Sequence, residues 1–423
     1  MTDRIQIGPK KKLAFVCSGG ATKAGAFHLG VALALQEQGF KFYGGTVPTS
    51  GLGRSPEPME ISTYVGSSAG SIIACYLAAG YSLDNIFNSY LGKKPSESDL
   101  ASYTPKPLPR LTLQKMLRFK QILTVDQISQ LKQLRSAFTH MVEGNWEALI
   151  EFKWLKMTGL FSTSGIEKHL REEVLPSNHF QDYLPELFIV ATQLNHSRKV
   201  IFGKKILSPP PFDPRCQYEN LASISDACAA STALPVIFSP HAIQTPNGPP
   251  IHYFDGEIRD TLSTHAASDA GADLIFASYT HQPYHFLKES GSLMQHGLSA
   301  IVIQAIYLLI EQKIRNHIFN SQSQRNAIDA VSKYCKEVGL PDYHREEICE
   351  ILETELNFRR DLDIIYIHPN PADAKLFFGE HFSFSPKKTV EVVKSGFRAA
   401  IETLRKYHFS DRPKKHAIGT TSS

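Results

Sequence analysis

The sequence predicts an α/β fold in which a mostly parallel central sheet is covered by helices on both faces, with helical insertions. Short, continuously apolar segments such as Leu13–Cys17 alternate along the chain with longer segments that have helical periodicity. Strands that are apolar at every residue are buried on both faces, which is typical of parallel sheets between two helix layers. The composition agrees, because 42% of the 423 residues are hydrophobic and 20% are charged, as in ordinary globular proteins.

The predicted elements follow one another along the chain. The first strand, 13–17, enters a glycine-rich turn, and a helix over about 24–38 stops at Gly39. A second strand, 60–65, breaks at Gly66 and leads into a helix over about 70–80. Further strands are predicted at 188–191, 199–202, 252–254, 274–278 and 363–368, and a last helix at about 388–406.

One α/β domain over 13–409 accommodates these elements. Two stretches, at about 101–160 and 285–360, read as helical insertions packed on the sheet. Residues 1–12 are expected to be an N-terminal tail. Residues 410–423 are polar and are expected to be a disordered tail.

Composition excludes several classes of function. A net charge of +4 is too small to indicate a nucleic-acid partner. The six cysteines form no CxxC pair, so we expect buried free thiols, a reducing compartment and no zinc site. No other metal and no cofactor is expected. The most apolar stretch, Leu298–Ile310, is too short to span a membrane, and no apolar core typical of a Sec signal peptide precedes the first lysines. We therefore expect a cytoplasmic protein that can bind membranes peripherally.

A G-x-S-x-G pattern lies where the second strand turns into a helix, with Gly66, Ser68 and Gly70 at its fixed positions. A nucleophilic hydroxyl must project from a tight turn, and small flanking residues let the strand and the helix approach each other. The alternative is an ordinary turn with a capping serine. The strand before the pattern and the helix after it favour Ser68 as a nucleophile.

The glycine loop, defined here as residues 18–25, follows the first strand and has three functional interpretations. Its glycines have P-loop spacing, but Ala-Phe follows where a P-loop needs Lys and a hydroxyl residue, and a dinucleotide-binding GxGxxG is absent. The third interpretation is an oxyanion hole formed by backbone N–H groups. A plain strand-to-helix turn stays open as well. The candidate donors are Gly19, Gly20 and Ala21, with Lys23 and Gly25 as supporting residues and Lys23 either adding positive charge or solvated.

Asp255 and Gly256 end an apolar strand. Most Asp-Gly pairs are turns, and that alternative stays open. The functional interpretation is a carboxylate base that hydrogen-bonds the Ser68 hydroxyl, with a pKa raised by burial. A Ser–Asp–His triad would instead need a late histidine, for which the candidates are His265, His281, His285 and His368.

Together these segments resemble the patatin-like phospholipase family. The resemblance rests on the glycine loop through Val31, the turn 66–70, Ala191 with Thr192, the segment 230–235, Asp255 with Gly256, and Gly271 to Asp273. It implies a Ser–Asp dyad hydrolase of lipid acyl esters, with Ser68 as nucleophile, Asp255 as base, and a phospholipid or lysophospholipid as substrate.

The chain departs from the family pattern at two places. Ala21 stands where the family has a third glycine, and the loop is one residue longer before Gly25. Glu257 stands where the family aspartate motif ends in Gly or Ala, and a carboxylate there would raise the Asp255 pKa if it pointed inward.

The leading functional hypothesis is therefore a phospholipase A or lysophospholipase, with transfer of the acyl group to an alcohol as a variant. The alternatives are an esterase with a Ser–Asp–His triad and a lipid-binding scaffold with little turnover. Head-group preference, oligomeric state and any protein activator are left open by the sequence.

No acidic residue occurs from Leu100 to Val125, and the basic segment 106–120 within this stretch predicts a docking surface for anionic lipid. An ordinary helix with a solvated basic edge is the alternative. The cations of segment 106–120 are Lys106, Arg110, Lys115, Arg118 and Lys120. The apolar stripe predicted among and just after them is Leu113, Met116, Leu117 and Leu123.

Overall fold

A computed structural model gives the architecture of the chain. It describes residues 4–48, 51, 53–93, 107–116, 118–119, 159, 161–208, 214–235, 237–246, 248–259, 261–286, 288, 291–370 and 385–410.

Fourteen strands lie within the described residues. They are β1 Ile5–Ile7, β2 Leu13–Cys17, β3 Lys41–Phe42, β4 Glu60–Ser67, β5 Arg118–Phe119, β6 Phe161–Ser162, β7 Glu186–Gln193, β8 Arg198–Phe202, β9 Cys216–Glu219, β10 His241–Thr245, β11 Gly248–Asp255, β12 Leu274–Ser278, β13 Asp363–Ile367 and β14 Tyr407–Phe409.

The helices of the same residues differ widely in length. They are α1 Ala21–Glu37, α2 Ala69–Ala78, α3 Leu83–Leu91, α4 Leu113–Met116, α5 Ser164–His169, α6 Ile224–Ser231, α7 Thr264–Asp269, α8 Gly297–Glu337, α9 Asp342–Leu356 and α10 Pro386–Leu404. A π-helical turn, Leu170–Val174, continues α5, and short 3₁₀ turns occur at Phe180–Asp182, Gly256–Ile258 and Leu293–His296.

The central sheet has the strand order β10-β11-β7-β4-β2-β12-β13, with β3 paired to β4 and the β8–β9 pair attached to β7. The pairings among β7, β4, β2, β12 and β13 are all parallel. Three pairings described for this sheet are antiparallel. They join β11 to β7, β8 to β7 and β10 to β11. The predicted mostly parallel α/β fold is therefore confirmed.

Both faces of the sheet are buried. In β2, Leu13, Phe15 and Cys17 contribute to one apolar core while Ala14 and Val16 contribute to the other. The period of two places alternate side chains on opposite faces. Helices α1, α2 and α10 cover the first face, and α7 and α8 cover the second.

Helices α1 and α10 pack closely through two glycines. A Cβ on Gly30 would lie 2.1 Å from the carbonyl oxygen of Val393, and one on Gly396 would lie 2.2 Å from that of Phe27. The backbones therefore touch directly, which fixes α1 and the glycine loop at its N-terminus.

Several elements differ from the sequence prediction. Within the predicted N-terminal tail, 1–12, residues 5–7 form β1, which pairs in parallel with β14 and buries Ile7. The strand predicted at 252–254 extends over β11 and forms a hairpin with β10, which was not predicted. The partner of β1 lies about 400 residues away, and β10 and most of β11 are exposed or half-buried, so local apolar patterns do not reveal them.

The helical insertions are described to different extents. The 285–360 range contains the long helices α8 and α9. Of the 101–160 range, only 107–116, 118–119 and 159 are described, and the rest of the predicted helical insertion lies outside the described residues. The predicted disordered tail also lies outside them, apart from Ser410. Within the described part of the chain, no helix combines the length and apolar character that a membrane span requires.

Candidate active site

Two strands end against the same edge of β7. The last residue of β4 lies opposite Val190, and Asp255, the last residue of β11, lies opposite Ala191. Because β8 occupies the other edge over the same stretch, β4 and β11 must share this edge and meet end to end. Ser68, which directly follows β4, is thereby brought beside Asp255.

Ser68 occupies a strained turn. Its φ is 51° and its ψ is −127°, a conformation that costs a non-glycine residue about 1–3 kcal/mol. Its backbone N–H donates to Ser231 Oγ at 2.8 Å, and the Ser231 hydroxyl donates to the carbonyl of Val190 at 2.6 Å. The Ser71 hydroxyl donates to the Ser68 carbonyl at 2.6 Å. These bonds hold the hydroxyl at the N-terminus of α2, where the helix dipole favours negative charge.

The glycines predicted around the turn have no room for a side chain. A Cβ on Gly66 would lie 2.4 Å from the backbone of α2, and one on Gly70 would lie 2.2 Å from the carbonyl oxygen of Cys17. A Cβ on Gly256 would lie 2.2 Å from the carbonyl oxygen of Val190. Close backbone approach therefore explains all three glycines.

Asp255 is 2% exposed and accepts a hydrogen bond from the Ser68 hydroxyl. Its Oδ1 also accepts the backbone N–H of Glu257 at 2.9 Å. Burial raises the pKa of Asp255 to about 6, although both hydrogen bonds act to lower it. The carboxylate is therefore a stronger base than an exposed aspartate and directly contacts the hydroxyl that it would deprotonate.

Two carbonyl groups of the glycine loop are held by hydrogen bonds from side chains. The Ser18 carbonyl is 2.8 Å from His28 Nε2, and the Gly19 carbonyl accepts the Thr280 hydroxyl at 3.1 Å. Because peptide units are planar and trans, the N–H groups of Gly19 and Gly20 point the opposite way. The directions of these two N–H groups are therefore fixed, which an oxyanion hole would require of its donors.

His28 is a neutral anchor for this loop. Burial lowers its pKa to about 4, so the ring is uncharged at neutral pH. Because Nε2 must donate to the Ser18 carbonyl, Nδ1 is the acceptor and takes the Ser278 hydroxyl at 2.7 Å. His28, Thr280 and Ser231 were not predicted as supporting residues, because nothing in their local sequence indicates these distant contacts.

The candidate oxyanion donors lie in different backbone environments. Gly20, with φ 129°, caps α1, and Ala21 is the first residue of the helix. The Gly19 N–H donates to Glu257 Oε1 at 2.7 Å. Glu257, which departs from the family pattern, therefore points inward, and its carboxylate binds the glycine loop.

Lys23 is buried, with 6% exposure, so the interpretation as a solvated lysine does not hold. Burial lowers its pKa to about 7. Its ammonium lies 5.3 Å from the ring centroid of Tyr307, on α8. At Gly25, a side chain would meet the Tyr90 hydroxyl, since a Cβ there would lie 2.4 Å from it.

A narrow apolar pocket of about 70 Å³ opens at Ser68. Met116, which is 5% exposed, lines this pocket, whereas it was predicted to lie on a lipid-facing stripe. Helix α4 ends at Met116, and β5 follows, so the predicted continuous stripe is not formed in the described residues of this segment. Leu117 and Leu123, and the cations Lys106 and Lys120, lie outside the described residues. The apolar lining is Ile72, Tyr76, Leu111, Met116, Ile166, Leu234 and Phe238.

The histidines considered for a triad occupy other environments. His281 packs edge-on against Tyr307, with ring centroids 5.2 Å apart. His368 packs on Tyr279, and its Nδ1 lies 2.9 Å from the Pro369 carbonyl. His285 is exposed and His265 is half-buried on α7.

Comparison with known proteins gives the family of the chain. A family model of patatin-like phospholipases matches residues 15–268, a range that includes the glycine loop, Ser68 and Asp255. No curated protein matches the chain. The matched range covers more than half of the chain, and the resemblance noted in the sequence is confirmed. The chain belongs to the patatin-like phospholipase family, whose members are lipid acyl hydrolases.

Proposed function

We propose that the protein is a phospholipase A or lysophospholipase that cleaves carboxylic esters through an acyl-Ser68 intermediate. The observation that carries the proposal is the hydrogen bond from Ser68, held at a positive φ, to the buried Asp255 at the mouth of an apolar pocket. A strained serine, an adjacent base and an apolar pocket beside the serine suit the hydrolysis of an acyl ester by a nucleophile.

In the first step, Ser68 Oγ attacks the ester carbonyl carbon while its proton passes to Asp255. The carbonyl oxygen becomes an oxyanion, which the N–H groups of the glycine loop stabilise. Collapse of this intermediate breaks the ester bond, and the leaving alcohol takes the proton from Asp255. Water then attacks the acyl-Ser68 ester, Asp255 accepts its proton, and the fatty acid leaves as Ser68 is reprotonated.

The family and the pocket support a lipid substrate, phospholipid or lysophospholipid. A narrow apolar pocket suits one acyl chain, with the head-group left outside. Binding to an anionic membrane surface through segment 106–120 stays a prediction, and one of its described cations, Lys115, is ion-paired with Glu173.

The proposed function is tested with a panel of phospholipids, lysophospholipids and neutral esters, assayed with wild type beside Ser68→Ala. A fluorophosphonate probe, which reacts with activated serines, provides an independent readout. We expect Ser68-dependent release of fatty acid and labelling that mass spectrometry places on Ser68. Lipid binding without either result would favour the scaffold alternative, and release of a transacylated product would favour acyl transfer.

The pH dependence follows from the base. Because Asp255 must be ionised to accept a proton and its pKa is about 6, kcat/KM should fall about tenfold per pH unit below 6 and level off above it. The profile is measured on a water-soluble ester, so that lipid ionisation does not contribute. An acidic limb near the ordinary aspartate value of 3.8 would contradict this role for Asp255.

Chain-length preference should follow the pocket wall. Leu111→Trp adds bulk at a half-buried lining position, and we expect kcat/KM for a long-chain ester to fall at least about tenfold while that for an acetate ester changes little. Leu207→Trp, also half-buried but outside the pocket, is the matched control. Equal losses on short and long esters would mean that the acyl chain binds elsewhere.

A further inference from the structure

The candidate oxyanion hole already contains a carboxylate from the chain itself. Glu257 is 6% exposed and lies in the 3₁₀ turn that directly follows Asp255. Its Oε1 accepts the Gly19 N–H at 2.7 Å, within the distance range of charge-assisted hydrogen bonds. Its own backbone N–H is held by Asp255 Oδ1, which fixes the start of the side chain.

The carboxylate side chain also lies close to the nucleophile. A Cβ built on Gly19 would be 2.7 Å from Glu257 Cγ and 2.8 Å from Ser68 Cβ. Glu257 and Ser68 therefore flank the same glycine. When Ser68 attacks the carbonyl carbon of a substrate, the carbonyl oxygen would have to reach the Gly19 N–H, where the Glu257 oxygen now lies.

Occupation by a carboxylate should oppose the reaction in two ways. It takes a donor whose removal typically costs about 10²–10³ in kcat. It also places negative charge beside a forming oxyanion, in a buried site where repulsion is weakly screened. An apolar or small residue at the same position would do neither.

We propose that Glu257 is a self-inhibitory plug of the oxyanion hole, and that hydrolysis requires its carboxylate to leave the Gly19 N–H. This inference rests on the proposed function, because it takes Gly19 as an oxyanion donor for Ser68. The resting enzyme is then partly closed. Its turnover is set by how readily an incoming ester carbonyl displaces the carboxylate.

The experiment compares wild type, Glu257→Gln and Glu257→Ala. Two rates are measured, the second-order rate of Ser68 labelling by a fluorophosphonate and kcat on a water-soluble ester. Glu257→Ala should raise both at least about tenfold, with an upper limit of about 10²–10³. Glu257→Gln should raise them less, because the amide oxygen can still accept the Gly19 N–H but carries no charge.

Controls separate this effect from general loosening of the protein. Glu219→Gln removes a half-buried carboxylate outside the site and should leave both rates unchanged. Thermal unfolding shows whether each variant is folded. Should Glu257→Ala fail to fold, the nearly isosteric Glu257→Gln still tests the loss of charge.

The possible results have distinct meanings. Folded Glu257 variants that react at the wild-type rate or slower, while Ser68 is still labelled, would overturn the plug and leave the proposed function intact. If Ser68 is labelled in no variant and no ester is hydrolysed, both proposals are overturned. Faster labelling and turnover in both Glu257 variants supports the plug.

Discussion

Ser68→Ala and Asp255→Asn are each expected to lower kcat for ester hydrolysis by about 10⁴-fold or more. The hydrogen bond between the two side chains makes them one proton-transfer unit, so removing either partner disables it. The double variant should therefore be little worse than the worse single variant. Losses that multiply would mean that the two residues act independently.

Asp255→Asn should lower activity but raise stability at neutral pH. Burial raises the folded-state pKa of Asp255 from 3.8 to about 6, so its contribution to stability is full below 3.8 and is lost as the pH rises through 6. At pH 7 the buried charge costs on the order of 3 kcal/mol, and Asp255→Asn should raise the unfolding midpoint there but not near pH 3.

Asp226→Asn is a matched control, because its expected effect on stability at neutral pH has the opposite sign to that of Asp255→Asn. Burial raises the pKa of Asp226, but hydrogen bonds from His241 and Ser223 outweigh it and lower the pKa overall. This substitution should therefore reduce stability at neutral pH. A lower midpoint for Asp255→Asn at pH 7 would mean that its carboxylate is a structural partner whose loss the fold cannot accommodate.

The sequence predicts the central part of the fold well and its edges poorly. Strands β2 and β12 were predicted at their observed bounds, because continuous apolar runs reveal strands buried on both faces. The β1–β14 pair and the β10–β11 hairpin were not predicted as such. The β1–β14 pair joins short segments from opposite ends of the described chain, and the hairpin strands are of mixed polarity and mostly exposed or half-buried, so neither has the continuous apolar run of a central strand.

The site shows the same division. Ser68 and its glycines could be identified because a nucleophile at a tight turn imposes local sequence requirements. Ser231, His28 and Thr280 could not be identified, because each acts through a hydrogen bond to a residue in another element or loop, which its own local sequence does not reveal. The position of Met116 in the pocket could not be predicted either, since helical periodicity gives the face of a helix but not its partner.

Gly20→Ala is expected to lower kcat on a water-soluble ester by about 10²–10³, with a smaller change in KM. Gly20 has a φ of 129°, and a Cβ there would lie 2.3 Å from Thr280 Oγ1, the hydroxyl that holds the Gly19 carbonyl. Displacing that hydroxyl lets the Gly19–Gly20 peptide rotate. The N–H donor of Gly20 then no longer points where an oxyanion would form.

Two further variants distinguish this collision from simple backbone strain. Gly339→Ala introduces a side chain at another positive φ, +76°, with nothing within 4 Å of its Cβ, so it should cost stability but leave kcat unchanged. Thr280→Ala removes the colliding hydroxyl together with its hydrogen bond. If both substitutions act through the same contact, the Gly20→Ala Thr280→Ala double variant should lose much less than the product of the two single losses. Fully multiplicative losses, or a folded Gly20→Ala enzyme with normal kcat, would place the oxyanion donors outside the glycine loop.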